Sequence, residues 1–395
     1  MAQTLKFGKG TWATKTGSSM AYNDQSGNYK PLPFNVERDS IATRVNKEGL
    51  IEVVGKDKLR IDYTDSAKGV ALLENSSTNL FEYSEDFSNS YWAKSGNAVV
   101  DSELTISPSG KQNASKFTFD GTTNATVNRT VSVTNGVAYT FSVWLKNNNL
   151  SDSSKVWIGL STTTQGEYVT VTNEWQRFDT THTSNGTLEY PRVQTSEVGS
   201  IFAWGAMLEQ NSFATSYIPT SGSTVQRQAD VVNGSGNSEV FNDSEGVLFA
   251  DIASNSDTTT AYNSIGIGSN SSNNRISIGF DASSNLYVFK RTTTQWLSNT
   301  SNDIKLYNKI AISYNTNDNH FWLNGFKIDS DTTIGDLSTK PNELGFEATF
   351  GGNNFYGKTK EIGYYDATLT DSELEYLTSY RSLNELVTEL NLNTL

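Results

Sequence analysis

The sequence predicts an all-β fold with helix confined to its C-terminal end. Three observations carry that reading. Hydrophobic residues make up 35% and charged residues only 18%, so Ser, Thr, Asn and Gly fill the polar positions where helices would use Lys and Glu. Aromatic residues reach 11%, with 8 Trp and 18 Tyr, enough bulk to fill thin sandwich cores and to argue against general disorder. Alternating apolar stretches recur between turn signals, including the Asn-Gly dipeptides at 135–136 and 324–325. A chain of 395 residues is long enough for two or three domains, so one core is not expected.

Taken in order, residues 1–78 mix turn signals at Asn23-Asp24 and Ser26-Gly27 with Pro31 and Pro33. Basic residues cluster in the second half of this stretch, and short extended pieces such as 50–54 read as strands that must pack on something else. Regular β patterning begins near residue 79. Strands are predicted at 116–119, 131–133, 138–145, 156–160, 168–171, 175–180 and 201–208, with Asn135-Gly136 as a tight hairpin between the second and third of these. A Ser, Thr, Gly and Asn stretch over 220–238 marks a boundary. Beyond it, strands are predicted at 247–253, 264–268, 276–280, 286–289, 310–314 and 321–323, and Asn324-Gly325 predicts a second hairpin. The expected domains are 1–78, 79–232 and 233–395.

The chain ends in helix. Thr370 with Glu373 and Ser382 with Glu385 have capping-box spacing, and Leu383, Leu386, Val387 and Leu390 follow as an apolar stripe. That stripe needs a partner, either its own domain or another chain.

Composition also excludes function classes. A net charge of -13 disfavours a surface that tracks phosphates, so no nucleic-acid partner is expected. Cys is absent, which removes disulfides, thiolate nucleophiles and Cys-based zinc sites, and the two histidines, His182 and His320, are few for a metal centre. The N-terminus lacks a signal pattern and no apolar run approaches the roughly 20 residues that cross a bilayer, so folding in a cytoplasm and no membrane insertion are expected.

Several motifs carry a resemblance. Residues 72–80 (LLENSSTNL), 83–87 (YSEDF) and 91–94 (YWAK) resemble a segment of tailed-bacteriophage tail-fibre and head-fibre proteins. Residues 203–209 (AWGAMLE), 212–220 (SFATSYIPT) and 227–230 (RQAD) resemble the closing half and exit of the same module, and 34–50 (FNVERDSIATRVNKEGL) resembles its lead-in. This resemblance implies a phage structural protein, whether tail fibre, head fibre or decoration, with a carbohydrate-binding-module-like, galactose-binding-like jelly roll over 79–232. Residues 321–327 (FWLNGFK) and 360–374 (KEIGYYDATLTDSEL) resemble a concanavalin-A-like, laminin-G-like jelly roll, which would occupy 233–395. The implied fold is two jelly-roll sandwiches in tandem, with an extended N-terminal attachment segment and a short helical tail. The implied partners are other virion proteins through 1–78, host or environmental glycans, and further copies of the chain in a homo-oligomer. The implied place is the virion, assembled in the host cytoplasm and exposed on the released particle.

Sugar sites combine aromatic faces with amides and carboxylates. By period-2 alternation Trp144 and Trp157 fall on the more polar faces of their strands, and Trp296 lies in a polar stretch, so these three are the glycan-binding candidates. The alternative is that the rings fill cores or chain interfaces. Trp92, Trp175 and Trp204 sit inside the family-like motifs and are expected in the core. No cofactor is expected, although Asp281 with Asn285, and Asn315 with Asp318, offer hard oxygens for a structural Ca²⁺ besides being ordinary turn formers. No paired-carboxylate strand, nucleophile motif or phosphate loop is present, so an enzyme is not expected. The function expected from all this is a virion component with adhesin-like modules that bind glycans weakly and multivalently. The rivals are a purely structural capsid, collar or tail part and a polysaccharide depolymerase.

Overall fold

The computed structural model describes residues 5–8, 12–15, 18–23, 30–160, 165–269, 273–347, 352–390 and 392. They are nearly all strand and turn, with two short helices at the C-terminal end. The chain divides into two compact units. One joins Met1–Asp39 and Lys56–Asn75 to Ala229–Leu395, and the other joins Ser40–Gly55 to Ser76–Gln228.

The N-terminal stretch is therefore not a separate segment, in contrast to the expected 1–78 module. Apart from Ala42–Val45 and Ile51–Val54, which belong to the other unit, its strands complete the sandwich built by the C-terminal residues. Leu5–Gly8 pairs with Gly357–Tyr365 on one side and Ser18–Asn23 on the other, while Val70–Leu73 also pairs with Gly357–Tyr365. The physical reason is burial: Leu5, Phe7, Phe34 and Leu73 are fully or almost fully buried in that unit's core, and a free segment would leave them in water. Among the described residues this unit has a twelve-stranded sheet and a five-stranded one. Ile310, Ile312 and Phe321 of the larger sheet share the core with Ile265, Ile278 and Val288 of the smaller.

Four charged side chains inside this unit connect three of the sequence motifs, 34–50, 72–80 and 227–230. Arg38, from the lead-in, donates to the Asp230 carboxylate at 2.7 Å, and Arg60 donates to Glu74 at 2.6 Å and also to Asp230. Asp230 further accepts the Glu74 amide at 2.9 Å. All four are buried, so each charge depends on the others for compensation. Removing one partner would strand the rest, a loss of about 3–5 kcal/mol in comparable buried pairs.

The Asn-Gly dipeptides at 135–136 and 324–325 have different outcomes. Asn324 and Gly325, with φ of 49° and 91°, close a hairpin in which Leu323 pairs with Phe326. Asn135-Gly136 forms a turn but no hairpin. Val131–Ser132 pairs with Leu188–Glu189, whereas Ala138–Asn147 pairs with Gln176–Thr183 and Val198–Glu209. Here Gly136, at φ 79°, donates its amide to Ser184 at 2.7 Å and passes the chain from one sheet to another.

Helix α1 (Asp371–Thr378) starts at the predicted box, with Thr370 and Glu373 each satisfying the other's amide, and buries Leu374 against Phe249, Ala311 and Trp322. Helix α2 (Leu383–Glu389) is capped by Ser382, but Glu385 reaches back to the Arg381 amide instead of its cap. Its apolar stripe does not sink into the unit, since Leu383 remains 67% exposed. Ion pairs from Lys309 to Glu385, at 2.5 Å, and from Lys360 to Glu389 hold it.

The second unit is also a sandwich. One five-stranded sheet takes Val99–Ile106, Gln112–Asp120, Val198–Glu209, Ala138–Asn147 and Gln176–Thr183 in that order. The other takes Ala93–Ser95, Ala125–Asn128, Arg192–Thr195, Val156–Gly159 and Gly166–Val169. Phe117, Phe141 and Leu208 meet Val127, Ile158 and Val193 between them. Asn79 stitches three family-like motifs together: its Nδ2 donates to the Ala206 and Ile218 carbonyls, and its Oδ1 accepts the Phe81 and Leu208 amides. Glu209 does similar work, accepting from Ser77 and from both the amide and hydroxyl of Thr215. These motifs are architectural.

Candidate functional site

The second sheet of the 76–228 unit turns Val156 and Ile158 inward and so presents Trp157 and Gly159 outward. Strand register then brings a row of side chains together. Trp157 pairs with Tyr168 on one side and Gln194 on the other, Gln194 with Thr126, and Thr126 with Ser95. The neighbouring row runs Gly166, Gly159, Arg192, Asn128 and Ala93.

The glycines decide how the indole lies. A Cβ on Gly159 would stand 2.5 Å from Trp157 Nε1, and one on Gly166 would stand 2.9 Å from Cε2. The ring therefore lies over two positions that have no side chain. It meets Tyr168 edge to face, at 5.2 Å and 75°, and Tyr168 is 63% exposed. The result is a half-buried indole with an open phenol beside it, a geometry suited to stacking on a sugar ring.

Polar groups flank these rings. Gln194 donates to Asn124 at 2.9 Å and Asn128 to Thr126 at 3.0 Å, so both amides are oriented on the face. Trp157 Nε1, Gln165 Oε1 and Arg192 Nε have no hydrogen-bond partner. Arg192 is the one charge in the two rows, and partial burial lowers its pKa.

The other two predicted tryptophans do not join this face. Trp144 lies in the opposite sheet, because 138–147 and 156–159 belong to different layers. Its ring contacts Trp204 at 5.3 Å and Tyr217 at 5.5 Å, and the Arg177 guanidinium sits 4.5 Å above it. Arg177 in turn donates to the Thr215 carbonyl and the Ser142 hydroxyl. Trp144 is thus half-buried within a packed aromatic group. Trp296 corrects the expectation of an exposed ring more sharply. It is 8% exposed, in the core of the other unit, and its Nε1 donates to Asp329 at 3.4 Å. The polar run around it is a hairpin strand, Gln295–Thr300, whose alternation turns Trp296 and Ser298 inward and Leu297 outward. Trp92 and Trp204 are core residues, as expected, whereas Trp175 is only partly buried and donates its Nε1 to the Ile106 carbonyl at 3.0 Å.

The Ca²⁺ candidates have other employment. Asp281 accepts the Ser283 and Asn285 amides and the side-chain amides of Asn285 and Asn299, the pattern of a turn former. Asp318 is exposed and pairs with His320 at 3.1 Å. No group of three or more His, Cys, Asp or Glu among the described residues is placed to hold a metal ion. His182 pairs with Glu189 at 3.0 Å.

Tyr168 is the residue that sequence reasoning missed. It was placed in a strand, but its facing depends on pairing with Trp157. The available signal was the pair Gly159 and Gly166, small residues spaced to face each other across a hairpin.

No family model matches the sequence, and no curated protein matches it. Several solved structures are similar to parts of the chain. One is domain 4 of AbnA, a GH43 extracellular arabinanase from Geobacillus stearothermophilus, in complex with arabinotriose, at TM-score 0.32 and 16% identity over 43% of this chain and 84% of that one. Another is the Ruminococcus gnavus IT-sialidase CBM40 bound to α2,3 sialyllactose, at TM-score 0.31 and 13% identity over 37% and 94%. The CBM22 tandem domain of Paenibacillus barcinonensis Xyn10C covers 75% of this chain and 99% of its own, at TM-score 0.28 and 9% identity. Likenesses this distant assign no ligand to this chain.

Proposed function

We propose that the chain is a non-catalytic, glycan-binding structural protein of a tailed-bacteriophage particle, a fibre or head-decoration component. The observation that carries the binding half is the Trp157–Tyr168 face, where an exposed phenol, a seated indole, two oriented amides and one guanidinium share one face of a sheet. Stacking supplies affinity for the apolar side of a sugar ring, the amides read hydroxyls, and Arg192 can pair with an acidic sugar's carboxylate. A shallow face of this kind binds weakly, and many copies in a homo-oligomer on one particle convert weak sites into firm adhesion. The virion half rests on the motifs at 34–50, 72–94 and 203–230. Other virion proteins are its structural partners, and the chain is assembled in the host cytoplasm and displayed on the released particle.

A purely structural role is the second reading, favoured by the burial of Trp296 and the packing of Trp144. Binding of the intact chain to beads coated with host-envelope polysaccharide, competed by the free polysaccharide, separates the two. Specific retention supports adhesion, and its absence supports the structural role. Antibody labelling of purified particles tests location, and particles free of label would contradict it.

A further inference from the structure

The 76–228 unit also has a concavity that the aromatic face does not use. It is a cleft of about 490 Å³ walled by Tyr83 and Pro219, with Ser102, Asn113, Ser115 and Thr220 on its sides. Each of those four residues has a side-chain oxygen without a hydrogen-bond partner: Ser102 Oγ, Asn113 Oδ1, Ser115 Oγ and Thr220 Oγ1. Ser115 and Thr220 are more than nine-tenths buried. A buried polar atom left unpaired costs free energy, so four around one cleft give a bound polar ligand groups to pair with.

The surrounding geometry is organised. Glu85 is held from two sides, accepting from Asn113 Nδ2 at 2.6 Å and from Tyr217 Oη at 3.0 Å. Ser84 binds that same Tyr217 hydroxyl at 2.6 Å and accepts the Thr220 amide at 2.8 Å, which fixes the cleft's opposite side. Near Ser102 the edge strand breaks register with its neighbour between Asp101 and Thr105, an irregularity of the kind that re-aims side chains.

The charge of the lining limits the ligand. Its charged side chains are Glu85 and Asp86, both acidic. Carboxylates accept hydrogen bonds from hydroxyl donors and repel anions. We infer that this cleft is a binding site for a neutral polyhydroxylated ligand, an uncharged sugar residue, and that it rejects uronates and sialates. Tyr83 would cover the ring's apolar side, and the serine, threonine and asparagine oxygens would pair with hydroxyls that both donate and accept.

The site is independent of the aromatic face, and the test keeps the two apart. Saturation-transfer NMR on the intact chain is run with neutral di- and trisaccharides and with their uronic-acid counterparts, on the wild type and on Thr220→Val, Ser115→Ala and Tyr168→Ala. Thr220→Val and Ser115→Ala delete hydroxyls that have no partner, so melting temperature is expected to hold or rise. Binding of a neutral saccharide is expected to weaken roughly tenfold in both, with Tyr168→Ala leaving that component unchanged. Neutral saccharides that bind the two cleft variants as well as the wild type would overturn the inference, as would a cleft-dependent preference for uronates. Binding lost only in Tyr168→Ala would overturn the cleft and leave the adhesin reading standing. Silence from every saccharide would overturn both.

Discussion

Trp157 and Trp296 stand on similar short strands of antiparallel hairpins, yet one lies on an open face and the other in a core. Their sequence neighbours point the wrong way, since Trp157 lies between Val156 and Ile158 while Trp296 lies among Thr294, Gln295, Ser298 and Asn299. What separates them is the residue set across the strand. Trp157 faces Tyr168 and rests over Gly159 and Gly166, so its own sheet supplies the surface it covers. Trp296 pairs with Lys290, itself buried and donating to Asn319 at 2.8 Å, and the strand's inward face is closed by a second sheet. A sheet offers a ligand face only where nothing packs over it, and partner residues reveal that better than the tryptophan's neighbours do.

The largest effect should come from Trp296→Ala, with a loss of about 3–5 kcal/mol in unfolding free energy as for other buried Trp truncations. Chemical denaturation measures it, and an unchanged midpoint would place Trp296 outside the core. Saccharide binding per folded molecule should stay the same.

Asp251, in the same unit as Trp296, gives that unit a pH signature. Burial raises its pKa from 3.8 to about 7 despite attraction from Lys360 and Lys309. The folded state therefore keeps a proton that the unfolded chain releases near pH 4. The associated stability is fully present below about pH 4 and declines as pH rises toward 7. Asp251→Asn should flatten that decline and raise the melting temperature at pH 8. Equal pH profiles for variant and wild type would contradict the assignment.

Gly159→Ala sharpens the contrast from the other side. The new Cβ would also meet the Gln165 carbonyl at 2.8 Å, so both backbone and indole must shift. A cost of about 1–3 kcal/mol is expected together with altered Trp fluorescence. The smallest stability effect is expected at Asn135. Asn324→Ala places an alanine at positive φ and removes the side-chain hydrogen bonds to the Lys309 amide and to Asn308, so it should cost about 2 kcal/mol, while Asn135→Ala, at a turn where only Gly136 has positive φ, should cost less.

Much of the fold was legible because its signals are local. The strands at 247–253, 276–280 and 310–314, the Asn324-Gly325 hairpin and both helix caps follow from alternation, turn chemistry and capping spacing. What the sequence hid is non-local. Nothing near Leu5 or Phe7 names the strand Gly357–Tyr365 as their partner, so the attachment segment looked separate. Asn135-Gly136 has the chemistry of a hairpin turn, but strand pairing sent its flanks to different partners. The candidate site was half legible for the same reason. Alternation set Trp157 outward, but Tyr168, Gln194 and Arg192 reach it only through register, and the cleft's four unpaired oxygens come from three separated parts of the chain.

The aromatic face is tested most directly by a glycan microarray probed with the intact chain and with Tyr168→Ala at equal concentration. Tyr168 is mostly exposed, so the variant should melt as the wild type does. Loss of its stacking should weaken each site by about 1 kcal/mol, roughly fivefold, and by more where several copies bind together. Signals that fall selectively in a stably folded Tyr168→Ala are the predicted result. Equal signals from both proteins, or no signal from either, would contradict it.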